Sequence, residues 1–215
     1  MSKKSRSNSI FMQTVDRFFT FCMLNVFTVA CCLPIFTIGA ALTACHKVMQ
    51  EMLTDPETNA GKLYFQAFSK CFKQSTVIWL INLPILAFIL VDIVLLRYHF
   101  SGPVAIVTYV ILGIVAFLTL GIDAFAFPMI ARYEDTLKNH IGNAFYLATR
   151  NLHRTIPLVA LSVCPLLIAL CSLPFFFKSV VLWVFIGISC IVFLQTQLVL
   201  PVLLSIEETD EDTQA

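Results

Sequence analysis

Charge is what this 215-residue chain has least of. Asp, Glu, Lys and Arg make up 13% of it, about half the share of an ordinary soluble domain. Glycine is scarce as well, with seven residues, and no strict GxxxG packing motif occurs among them. No HExxH, GxSxG or phosphate-cradling glycine loop is present, so the usual metalloprotease, serine hydrolase and nucleotide-binding signatures are missing. The eight cysteines contain no CxxC and no pair with zinc-finger spacing to histidines. Most lie inside apolar runs, where cysteine behaves as a small buried hydrophobe. A net charge of +1 gives no electrostatic footprint for nucleic acid. Catalytic residues, metals and cofactors are accordingly not expected.

What the chain has is apolar surface. Hydrophobic residues make up 59% and the mean hydropathy is +0.87. Soluble monomers do not expose apolar patches of the size this implies, and disorder requires the opposite composition. The expected fold is therefore all-α, a polytopic transmembrane helix bundle of five to six membrane helices with cytoplasmic amphipathic interfacial helices.

Five runs free of Asp, Glu, Lys and Arg mark the spans: 18–45, 74–91, 103–122, 155–177 and 179–206. A crossing helix needs about 20 such residues. The first run is interrupted at Pro34, which disfavours helical geometry at Leu33 and removes a donor. If 18–36 crosses once and the chain does not return, basic residues divide almost evenly between the two sides. If a hairpin at Pro34 and Gly39 sends the chain back, twelve of the fourteen Lys and Arg residues fall on one side. The positive-inside tendency favours the second arrangement. It gives elements near 18–35, 37–53, 75–97, 103–128, 155–177 and 179–204, with both termini cytoplasmic. Element two, carrying His46, Lys47 and Glu51, then requires a tilted or re-entrant helix with its inner end at the interface. The basic start followed by an apolar run also imitates a signal peptide, but is read as an anchor. Residues 1–206 form one membrane domain, and the acidic stretch 207–215 is expected to be a disordered tail.

Two connections on the basic side have helical amphipathic patterns. In 62–73, Phe65, Phe68 and Phe72 fall on one face, with Lys70 and Lys73 on the other. In 135–154, Leu137, Ile141, Phe145, Ala148 and Leu152 recur every three or four residues, with Arg132, Arg150 and Arg154 supplying charge. The bland reading is a membrane-surface helix; the functional one is a docking surface for a cytoplasmic partner. Glu134 belongs with this group. Within the spans Asp92 and Asp123 are candidate coupling carboxylates, because intramembrane ionisable groups are costly. Asn25 and Asn82 are expected to hydrogen-bond between helices. His46, His140, His153 and His99 have no partnered nucleophile in sequence.

Several stretches carry a resemblance: Asn25 followed by LPIFTIGAALTA (33–44), AFSKCFKQSTVIW (67–79), PMIARYEDTLKNHIGNAF (128–145) and RNLHRT (150–155). Together they resemble the YesL-like family of bacterial integral membrane proteins, a domain of unknown function. Asp135 departs from the asparagine common there, and the acidic tail is peculiar to this chain. The resemblance implies a plasma-membrane protein of Gram-positive bacteria with an accessory or regulatory role in carbohydrate uptake. Subunits of an uptake transporter are then the expected partners besides the lipid bilayer, with a homo-oligomer as a further option. The alternative is a small secondary transporter using Asp92 or Asp123.

Overall fold

Proline at position 34 ends the first helix. In the computed structural model, which describes residues 3–54, 58–99, 102–171 and 183–214, α1 (Lys3–Cys32) stops two residues before it. A short 3-10 turn follows at Ile35–Thr37, and α2 (Ile38–Thr54) runs back. The Thr37 hydroxyl sits 2.5 Å from the Cys31 carbonyl and 2.7 Å from that of Pro34, serving acceptors left open by the ended helix. From the neighbouring helix, Trp79 Nε1 donates to the Ile35 carbonyl at 2.7 Å.

The remaining helices are α3 (Ala60–His99), α4 (Pro103–Arg132), α5 (Leu137–Arg150), α6 (Leu152–Cys171) and α7 (Ile188–Gln214), the last entered through a π turn at Trp183–Gly187. No strand occurs among the described residues, so the all-α expectation holds. Among the described residues, three helical stretches, Ala60–Tyr98, Pro103–Arg132 and Trp183–Glu207, are long and apolar enough to cross a bilayer. Arg17–Cys32 and Leu152–Cys164 are apolar but shorter.

Helix α2 is the centre of the bundle. Gly39, Ala40, Ala41, Thr43, Ala44, Cys45, His46, Val48, Met49 and Gln50 are all buried, and α1, α3, α4 and α7 pack around it. Protein rather than lipid covers α2, so its apolar length need not match a bilayer. Small residues allow the close approach, with a β-carbon on Gly39 falling 2.5 Å from the Ser75 carbonyl oxygen.

The 62–73 segment also differs from its reading as a separate surface helix. It is the first part of α3, a single 40-residue helix about 60 Å long at 1.5 Å per residue. Its buried positions Ala60, Tyr64, Ala67, Cys71, Ser75, Ile78 and Asn82 keep one three-and-four rhythm through the expected junction near residue 74. That register, not the Phe65–Phe68–Phe72 face, docks the helix. Phe65 is exposed and packs its ring on Phe27, while Phe68 and Phe72 are half-buried and stack edge-on to each other. The outer halves of α3 and α4 touch chiefly one another, through Ile89, Leu96, Leu112 and Ala116, and form an apolar hairpin arm.

Asn25 of α1 bonds Ser189 of α7, and Phe21 packs edge-on against Phe193. These pairings run the two helices antiparallel, so the start of α1 and the end of α7 share one end of the bundle. The end of α2, the start of α3 and the α4–α5 connection lie there as well. The acidic stretch expected as a disordered tail instead continues α7 to Gln214. No glycine or proline interrupts it after Pro201. Residues 172–182, including Lys178, lie outside the described residues.

Candidate functional site

At the shared end, the first turns of α3 and the end of α4 form an open cleft of about 820 Å³. Lys47 of α2 and Leu63, Gln66, Ala67, Lys70, Cys71, Lys73 and Gln74 of α3 make one wall. Residues 130–136, the end of α4 and the linker to α5, make the other. The linker is extended because α4 ends at Arg132, where Tyr133 turns to extended backbone and its N–H still reaches the Met129 carbonyl. Thr136 then caps α5, its hydroxyl accepting from the Asn139 N–H at 3.4 Å.

The linker is tied to both flanking helices. Lys70 pairs with Glu134 across the cleft mouth, and Gln74 Nε2 donates to the Asp135 carbonyl at 2.8 Å. Deeper, the Cys71 thiol lies 3.6 Å from the Ile130 carbonyl. On the α7 side, Arg132 grips Glu207 with two parallel bonds of 2.6 and 2.8 Å, the bidentate geometry that suits guanidinium and carboxylate. Tyr133 donates to the Leu203 carbonyl at 3.3 Å. Lys47 pairs with Glu51 one turn along α2 at 2.8 Å. Lys73, on the same wall, is exposed.

Electrostatics of the linker follow from these bonds. The hydrogen bond and charge of Lys70 hold the Glu134 carboxyl below the usual range. Asp135 is also held low, first by the Thr136 backbone N–H and then by Asn139. Burial pushes the His140 imidazole down, with Asp135 opposing. His140 is 1% exposed and its Nε2 has no partner.

The cleft thus assembles Lys70, Lys73, Arg132 and Glu134 from the sequence candidates. Arg150 and Arg154 lie apart from it. Arg150 donates to the Tyr146 hydroxyl at 2.6 Å, and Arg154 donates to the Leu198 carbonyl at 3.0 Å, which joins α6 to α7.

The intramembrane candidates separate in the same way. Asn82 donates to the carboxylate of Asp123, linking α3 to α4, and both are buried. Asp92 lies half-buried further out on α3, about three turns beyond Asn82. Asn25 serves the π turn. Its amide nitrogen donates to the Trp183 and Val184 carbonyls at 2.9 and 2.5 Å, and its oxygen accepts from the Ser189 N–H at 2.7 Å. A π turn shifts the backbone register, and one asparagine side chain accounts for three of the groups involved.

Sequence reasoning missed a polar file along α2. Thr43 meets the Ser75 hydroxyl of α3 at 2.8 Å, His46 Nδ1 meets Thr196 of α7 at 3.0 Å, and Gln50 donates to the Pro128 carbonyl of α4 at 3.0 Å. The Thr196 hydroxyl lies within reach of both His46 Nδ1 and the Val192 carbonyl. The spacing 43, 46, 50 was the available signal, but it reads as an interface until α2 is known to be encased. No group of three or more metal-ligating side chains gathers among the described residues.

A family model described as "Protein of unknown function, DUF624" matches residues 18–93. That span includes α2 and the α3 wall of the cleft, and ends before the 130–136 wall. No curated protein and no solved structure matches the chain.

Proposed function

We propose that the chain is a multi-pass protein of the bacterial cytoplasmic membrane, YesL-like, and a non-enzymatic accessory or regulatory component of a carbohydrate uptake system. The cleft between α3 and the 130–136 linker is its docking site for a partner subunit on the cytoplasmic side. The observation that carries this reading is the Lys70–Glu134 pair. It joins two stretches 64 positions apart that both belong to the residues carrying the family resemblance. The cytoplasmic orientation draws support from the basic residues, twelve of fourteen of which belong to segments at the shared end of the helices. A largely apolar lining that includes Leu63, Ala67, Cys71, Ile130 and Ala131, rimmed by charged side chains and open to solvent, suits a segment of another subunit rather than a buried small molecule.

Affinity purification from the native membrane tests it. A stoichiometric partner is expected with the wild-type chain and lost with Lys70→Glu. A lone wild-type protein overturns the reading.

The secondary-transporter reading is favoured by one observation, the buried Asn82–Asp123 pair. On that reading Asp123→Asn abolishes substrate uptake in proteoliposomes, whereas in an accessory protein it is nearly silent.

A further inference from the structure

We propose that the outer face of α5 and the first turns of α6 rest on anionic phospholipid headgroups of the leaflet at the cleft end of the bundle. The proposal depends on the reading that the apolar helices cross a membrane, and concerns a surface separate from the cleft.

Helix α5 is held by one side only. His140, Ala144, Leu147 and Ala148 are buried and pack it against α4 and α6, so it cannot roll to hide its other face. On that face Phe145 is 48% and Tyr146 55% exposed. The exposed apolar surface continues past Asn151 into α6 with Leu152 at 49% and Ile156 at 59%. These side chains therefore lead from α5 into an apolar helix, Leu152–Cys164. Aromatic residues with an apolar body and a polar tip favour that depth.

Charge points to the occupant. Lys138 and Arg150 are exposed on α5, and no Asp or Glu occurs anywhere from 136 to 206. A protein partner's basic residues would find no carboxylate on this face beyond Asp135 at its N-terminal edge, which the Asn139 amide engages, whereas phosphodiesters would find the cations Lys138 and Arg150. The Arg150 guanidinium is preset for one. Tyr146 holds it by the 2.6 Å bond and by its ring, 5.6 Å from centroid to guanidinium carbon. The guanidinium edge away from Tyr146 is left to grip phosphate oxygens in pairs.

Photo-crosslinking of the full chain in proteoliposomes tests the assignment. Phe145→p-benzoylphenylalanine is compared with the same substitution at Phe88, which is 64% exposed on the hairpin arm. Intact mass should show a phospholipid adduct at both positions. At 145 the yield should be severalfold higher in phosphatidylglycerol vesicles than in phosphatidylcholine vesicles, and Lys138→Gln with Arg150→Gln should erase that difference. An adduct at 88 with none at 145 overturns the proposal, as does a protein-mass adduct at 145, which would assign the face to a second copy or partner. Equal yields in the two lipids overturn the anionic preference. Adducts at neither position overturn the membrane reading itself.

Discussion

Gly39 of α2 and Ser75 of α3 approach so closely that a β-carbon on the glycine would lie 2.5 Å from the serine carbonyl oxygen and 2.8 Å from the Trp79 β-carbon. The first of these is backbone, which cannot swing aside. In a helix interior alanine is otherwise preferred over glycine by about 1 kcal/mol. Gly39→Ala should instead destabilise the protein, by about 1–3 kcal/mol of overpacking. Gly113 is the control, since a β-carbon there meets nothing within 4 Å. Gly113→Ala should be neutral or stabilising, and thermal unfolding in detergent reads both signs.

Asn25 completes the π turn ahead of α7. Asn25→Ala removes a bond from the Ser189 N–H and two bonds to carbonyls, leaving buried backbone groups unmatched at about 1–3 kcal/mol each. A loss of at least about 2 kcal/mol is expected, with faster amide exchange concentrated at residues 183–189. Uniform exchange across α7 would contradict that role.

The Lys70–Glu134 pair should matter more for docking than for stability. Its side chains are 67% and 80% exposed, and exposed pairs contribute about 0–1 kcal/mol. Lys70→Glu or Glu134→Lys alone should leave the unfolding midpoint nearly unchanged while reducing partner capture. The double swap tests whether the cleft needs the pair or the sign of each wall. Recovery of capture points to the pair, and continued loss points to a partner that reads the lysine directly.

His140 predicts the direction of a pH effect. Its folded value lies below the ordinary 6.5 because burial disfavours the cation, so the unfolded chain takes up a proton that the folded one refuses. Its contribution is fully present above about pH 6.5 and is lost as the pH falls from there toward the lowered folded value. With Nε2 unpartnered, replacement by leucine removes the titration at modest cost. Unfolding midpoints followed from pH 7.5 to 5 should fall less steeply for His140→Leu than for the wild type.

Much of the fold can be read along the chain because it depends on local chemistry. Pro34 ends α1 and starts a turn, although Pro84, Pro128 and Pro201 lie inside helices. Long charge-free runs favour helices because an apolar solvent leaves backbone groups to pair within the segment. The boundary near residue 74 could not be read that way. Phe65, Phe68 and Phe72 form a plausible surface face, yet the side that docks is Tyr64, Ala67 and Cys71, which only the small residues of α2 select. In α5 the buried side includes His140, a residue that the sequence places at the cytoplasmic interface. Glu134 stood next to basic neighbours in sequence, but its partner lies 64 positions away.

By itself the sequence determined the apolar character of this protein, the helical class and the charge-free runs that separate its basic segments, because composition and turn chemistry act over a few residues. Only the tertiary structure decided that α2 is encased rather than facing lipid, that Asn82 finds Asp123, and that the 67–75 and 130–136 stretches close on one cleft. Those outcomes depend on which helix faces meet, and steric fit between distant residues settles that.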